Sequence, residues 1–253
     1  GRPENVPKEK FQAPQEVEQS NPIVPLASLV SAPIGLPEIS VTLPAHSRMG
    51  GSAAHRFLNC SGSTALVAGL KIEGGSDIDP EWTQHGTLAH ALGARCLEQD
   101  QDAWELVHEY PLPPDQAQAV QVYVDYIRSL GGRRRVEVKI HLPDLHPMMF
   151  STLDAVVESV LGPIALRIWD YKHGEGVFVE VKDNDQLKYY ACMAIMEQPH
   201  EYDDNDLVEL GICQPRITWA DPVRSWTITV EALKRWLNEV LLPAMRLTAQ
   251  DMH

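Results

Sequence analysis

The chain has 253 residues, 44% of them hydrophobic, and a formal net charge of −14. That length suits one sizeable domain, or one domain with a tail. The acidic balance counts against a protein that coats DNA non-specifically, because such binding rests on a basic surface; it counts less against an enzyme whose acidic pocket is neutralised by bound cations.

No uninterrupted apolar stretch approaches the roughly 18 to 20 residues that span a bilayer. The segment from Ile23 to Ile34 is apolar but is broken by Pro25 and Pro33 and follows a mixed polar stretch, so neither a membrane span nor a signal peptide is expected. Cys60, Cys96, Cys192 and Cys213 are far apart and include no CxxC pair. This argues against a zinc ribbon or a disulfide scaffold and favours a reducing, cytoplasmic setting.

Residues 1–44 carry eight of the nineteen prolines and show no sustained periodicity, which reads as an extended or disordered tail. A folded domain is expected over 45–253. Ser52 can cap a short helix over 53–59. Asp79-Pro80 starts a second helix, with Asp as cap and Pro at the first helical position, and Leu88, Ala91, Leu92 and Cys96 lie on one face up to about Gln99. Pro113-Pro114-Asp115 opens a third helix that runs to about Leu130 and ends at Gly131-Gly132.

Period two then takes over. Val136, Val138, Ile140 and Leu142 alternate with Arg135, Glu137, Lys139 and His141 to give a strand over 135–142. Two more strands follow over 149–157 and 165–172, joined by a turn at Leu161-Gly162-Pro163. Asp183 or Asn184 caps a helix from Asp185 to about Met196. Strands over 207–213 and 226–229 and an amphipathic helix over 231–248 close the chain. The outline is α/β: helix, three strands, helix, strand, with a further helix appended. The basic run Arg133-Arg134-Arg135, followed by Lys139, admits two readings, a solvated strand start or a phosphate-contacting patch.

The chemistry concentrates in Asp154, Asp170-Tyr171-Lys172, Gln186 and Tyr190. Side chains two apart on a strand share a face, so Asp170 and Lys172 project together, with Tyr171 opposite. A hairpin would bring Asp154 beside Asp170. Two carboxylates and the Tyr171 carbonyl then make an oxygen set suited to Mg²⁺. The Lys172 ammonium could orient water and offset charge on a phosphoryl group; taken alone, Asp-x-Lys is equally an edge-strand ion pair. Gln186 and Tyr190, four apart on a helix, are neighbours that can reach this site. Glu137 either helps to hold metal or water or is simply the polar half of the alternation. His90 can ligate a cation, although a lone helical histidine is more often structural. His85 lies on another face of that helix, which excludes a two-histidine clamp.

Gly86-Thr87-x-x-His90, Leu153-Asp154, Trp169-Asp170-Tyr171-Lys172 and Gln186-x-x-x-Tyr190 together resemble the motifs of the RecB-like branch of the PD-(D/E)XK nuclease superfamily. The segment from His55 to Ser63 also resembles the opening of an uncharacterised phage and prophage branch. The likeness spans about 52–245. It implies a restriction-endonuclease-like αβββαβ core, with a central mixed sheet flanked by helices, and Mg²⁺- or Mn²⁺-dependent cleavage of DNA. By matching position His90, Asp154, Asp170 and the Tyr171 carbonyl would be metal ligands, Lys172 the catalytic lysine, and Gln186 with Tyr190 the supporting pair.

Some relatives carry a four-cysteine iron–sulfur cluster; this chain lacks the clustered downstream cysteines, so no cluster is expected. Phage relatives often act as exonucleases on linear duplex DNA beside a single-strand annealing recombination protein, in a bacterial or phage-infected cytoplasm. A ring-shaped homo-oligomer would confine the need for positive charge to its channel. The competing reading is a catalytically silent nuclease fold kept as a binding or regulatory protein.

Overall fold

The computed structural model describes residues 47–69, 81–159 and 161–251. All of them belong to Ile34–His253, the larger of two units into which the chain divides. The proline-rich stretch over 1–44 and the Asp79-Pro80 helix start lie outside the described residues.

A five-stranded sheet in the order β1-β2-β3-β4-β5 forms the centre, with β1 Arg133–His141, β2 Phe150–Glu158, β3 Ile164–Tyr171, β4 Leu207–Cys213 and β5 Val223–Thr229. β3 and β4 are parallel and every other pairing is antiparallel. A parallel pair needs a crossover, and the helix Asp185–Glu197 lies within that crossover. The expected α/β architecture, a mixed sheet flanked by helices, is the one observed.

Two apolar clusters cover the sheet. Val156, Leu166, Ile168, Val208 and Leu210 pack with α1 (Ala54–Asn59), α6 (Asp185–Glu197), α7 (Val230–Trp236) and α8 (Leu242–Asp251). α2 is the short helix Ser63–Gly69 that follows α1. Ala155, Trp169 and Tyr171 pack in the other cluster with α3 (Glu81–Gln99), α4 (Ala103–Leu106) and α5 (Pro114–Ser129). Burial of Trp169 depends on Gly211, its partner on β4, because a Cβ there would run into the indole.

Local chemistry accounts for most element ends. Pro114 occupies the first turn of α5, where a missing N–H costs nothing. Asn184, rather than Asp183, caps α6 by accepting a bond from Leu187 N at 3.1 Å. Ser52 does not cap α1: it lies in a 3₁₀ turn, Gly51–Ala53, that precedes the helix. Between α7 and α8 the segment Leu237–Leu241 winds as a π-helix. Leu233, Leu237, Leu241 and Met245 are four residues apart and all buried.

The alternation expected over 135–142 is interrupted. Val136 packs with the α3/α5 cluster and Val138 with the α6 cluster. Between them stands Glu137 at φ 46°, a left-handed conformation uncommon for a residue with a Cβ. The β1–β2 register pairs Val136 with Ala155 and Val138 with Leu153, which places this break opposite Asp154.

Candidate active site

At the end of β3 the candidate residues come together. Asp170 is 2% exposed. Its Oδ1 accepts from Gln186 Nε2 at 2.9 Å, and its Oδ2 lies 2.8 Å from Lys172 Nζ. That second contact is an ion pair without hydrogen-bond alignment, and Oδ2 has no hydrogen-bond partner among the described residues. Lys172 Nζ also donates to Gln186 Oε1 at 2.9 Å, and Gln186 Nε2 donates to the Tyr190 hydroxyl at 2.8 Å. One amide thus ties together the acid, the amine and the phenol, as expected for neighbours on the first turns of α6.

Asp154 reaches the same place from β2. Its Oδ2 accepts from Tyr171 N at 2.8 Å and lies 3.4 Å from His90 Nδ1 on α3. His90, Glu137 and Asp154 offer ligand atoms that all lie within 4.8 Å of one another, a group able to hold a metal ion. This grouping differs from the expected ligand set of His90, Asp154, Asp170 and Tyr171. Glu137 enters it because its left-handed backbone stands opposite Asp154, whereas Asp170 sits beside it, engaged by Lys172 and Gln186. The donor chemistry, two carboxylates with one imidazole, suits a divalent metal ion, and Asp170 Oδ2, paired with Lys172 at 2.8 Å, is a further buried oxygen.

Electrostatics bind these groups into one system. Burial would lower the pKa of His90, but the Asp154 charge and hydrogen bond, with Asp170 and Glu137 behind them, push it up to about 9. Burial opposes ionisation of Asp154 too, yet His90, the Tyr171 amide and Lys172 hold its pKa below the usual carboxylate range. Lys172 loses solvation on burial, and the adjoining Asp170 more than restores its charge, so its pKa lies above the ordinary lysine value. Asp170 is raised by burial and by the Asp154 charge against the pull of Lys172. Glu137 is raised by burial and then by Asp154.

Several supporting residues carry no signal in the sequence. Tyr171 turns its ring into the α3/α5 cluster, 5.3 Å from the His90 ring in an edge-on contact. Its hydroxyl meets His173 Nδ1 at 2.8 Å, His173 Nε2 meets Gln116 Oε1 at 2.7 Å, and Gln116 Nε2 meets His85 Nδ1 at 3.1 Å. The amide oxygen can only accept, so His173 carries its proton on Nε2 and the tyrosine donates to Nδ1. Burial, followed by the Arg216 charge, lowers the His173 pKa to about 4, which keeps that ring neutral. Behind Tyr190, Gly51 lets the chain approach so closely that a Cβ would strike the phenol ring, and Gly51 N donates to Ser151 Oγ at 2.9 Å. Tyr189 is buried and donates to Met49 O at 3.0 Å.

Two arginines of the basic run pair with acids. Arg135 bridges Glu158 at 3.2 Å and Glu197 at 2.8 Å, and Arg133 lies 3.6 Å from Glu158. Arg135 is thus held within the protein, whereas the Arg133 side chain stays largely exposed. No helix among the described residues is long and apolar enough to cross a membrane.

Comparison with known families adds one finding. Residues 46–252 match the family model described as "Protein of unknown function (DUF2800)".

Proposed function

The chain belongs to the DUF2800 family, and from the chemistry of its site we propose that it is a metal-dependent deoxyribonuclease of the PD-(D/E)XK, RecB-like kind. The observation that carries this reading is the convergence of side chains from α3, β1, β2, β3 and α6 on one acidic centre with a lysine at its edge.

His90, Glu137 and Asp154 would hold Mg²⁺ or Mn²⁺, with Asp170 and the Tyr171 carbonyl as further oxygen donors. Bound there, such an ion supplies Lewis-acid charge that offsets a phosphodiester's and makes water a better nucleophile. Lys172, kept protonated by Asp170, adds a fixed positive charge where negative charge builds on the phosphoryl oxygens. It acts as an electrostatic and orienting group, not as a base. Gln186 fixes the angle between Asp170 and Lys172, and Tyr190 fixes Gln186.

On this reading the substrate is DNA and the preferred action is exonucleolytic, on linear duplex ends in phage-type recombination or repair. The setting is a bacterial or phage-infected cytoplasm, with a single-strand annealing protein and further copies of the chain as partners.

The test is digestion of end-labelled linear DNA and closed circular DNA with and without Mg²⁺ or Mn²⁺. Loss of linear DNA alone is the expected result, and Lys172→Ala should slow it at least about 100-fold, the scale seen when a charge-stabilising donor is removed. An unaffected Lys172→Ala protein would end the mechanism. Metal-independent inertness of the wild type, with no Mn²⁺ binding that depends on Asp154, would instead favour a silent binding fold.

A further inference from the structure

Two loops at the carboxyl ends of the parallel strands are tied together by hydrogen bonds. The loop over 172–184 leaves β3 at Lys172 and enters α6 just before Gln186, so a site residue stands at each end. The loop over 214–222 follows β4 at the same edge of the sheet, the edge where open α/β sheets bind ligands. Gln214, 1% exposed, joins them. Its Nε2 donates to Gly174 O at 3.0 Å and Val177 O at 2.7 Å, and its Oε1 accepts from Val179 N at 3.2 Å and an Arg224 Nη at 3.1 Å. Arg216 adds a bond to His173 O at 3.3 Å.

An aromatic stack stands on this base. The Arg224 guanidinium lies 4.3 Å from the centre of the Phe178 ring, and the Trp219 ring lies 5.1 Å from Phe178 at an interplanar angle of 38°. Despite that packing Trp219 remains 66% exposed, and the neighbouring Val177 76% exposed. The loops thus present an apolar, π-rich surface that is open to contact. An arginine-backed aromatic beside a cation is the arrangement on which unpaired nucleobases stack.

We propose that Phe178 and Trp219 form a stacking platform for an unpaired base of a DNA strand, at the same end of the parallel strands as the catalytic centre. The choice of DNA as ligand rests on the nuclease reading above; the platform itself rests on the two loops. It gives the site a preference for frayed or single-stranded ends, whose bases are free to leave the helix, over intact duplex.

The experiment measures binding of a fluorescent single-stranded oligonucleotide, with 2-aminopurine near one end, to the full chain in Ca²⁺ without Mg²⁺. Trp219→Ala and Phe178→Ala should each weaken binding about tenfold and abolish the 2-aminopurine quenching, in line with one lost stacking contact. Trp219→Phe should stay within about twofold of wild type, and the Trp219→Ala melting temperature should be unchanged because the side chain is exposed. Absence of oligonucleotide binding by the wild type, or equal binding by Trp219→Ala, overturns the platform. Cleavage assayed in parallel with Lys172→Ala separates the two ideas. Lysine-dependent cleavage with no Trp219 effect sinks only the platform, whereas Trp219-dependent binding without cleavage upholds it and sinks the nuclease reading.

Discussion

Gln186 uses every polar atom of its side chain: its oxygen accepts from Lys172, and its nitrogen donates to Asp170 and to Tyr190. Removing it leaves a nearly buried carboxylate with one partner fewer, a loss of about 1–3 kcal/mol. Gln186→Ala is therefore expected to fold with reduced stability in urea denaturation and to lose DNA cleavage by roughly tenfold or more, as misoriented groups do. Gln186→Glu should be no better, since it replaces a donor to Asp170 with a second negative charge. Wild-type cleavage by either variant would remove Gln186 from the site.

The sequence made this residue legible through its spacing from Tyr190 and its place after Asp-x-Lys. Glu137 was only half legible, because no local pattern announces that a glutamate will take a left-handed backbone opposite Asp154. The His173–Gln116–His85 chain was not legible at all: its members lie up to 88 positions apart and meet only once α3 and α5 pack on the sheet.

Among the elements, β4 matched its expected span, Leu207–Cys213, whereas β1 broke its alternation at Glu137 and β5 began three residues early, at Val223. The departures have tertiary causes. The α1 start is set by the contact of the 51–53 turn with β2 and α6, not by a side-chain cap. The short helix α4 opens at Asp102, whose N–H donates to Glu105 Oε2 at 2.8 Å, the Asp-x-x-Glu spacing of a capping box, visible in the sequence once a helix of four residues is admitted.

The contact at Gly51 also governs the site, because the ring it accommodates is Tyr190. Gly51→Ala should force that ring or the turn to move, at about 1–3 kcal/mol for overpacking, and should lower cleavage along with stability. Equilibrium urea denaturation and the linear-DNA assay read the two effects, and an unchanged midpoint would show that the turn yields freely.

At the scale of the whole molecule, acid exposes a second buried histidine. His146, in the connection between β1 and β2, is 2% exposed. Burial, and then the Arg246 charge, lower its pKa from 6.5 to about 4. Its Nδ1 accepts from Met148 N at 3.2 Å, which requires the unprotonated nitrogen. Because the folded value lies below the unfolded one, the unfolded chain binds the proton first as pH falls. The stabilisation is complete above about 6.5 and declines through the window down to about 4, worth roughly 3 kcal/mol at about 1.4 kcal/mol per unit. Unfolding free energies measured at pH 7, 5.5 and 4.5 should fall accordingly, and His146→Gln should flatten the decline. Identical slopes for the two proteins would assign the acid sensitivity elsewhere.

The π-wound segment has a consequence for the closing helix as a whole. Four residues of α-helix turn through about 400°, so a spacing of four drifts by about 40° at each step. Leu233, Leu237, Leu241 and Met245 keep that spacing and still all reach the interior. A turn closed by bonds five residues apart holds one residue more than an α turn. Geometrically it absorbs a single-residue insertion, so α8 keeps its angular phase and buries Met245 and Thr248 while Arg246 and Leu247 stay exposed.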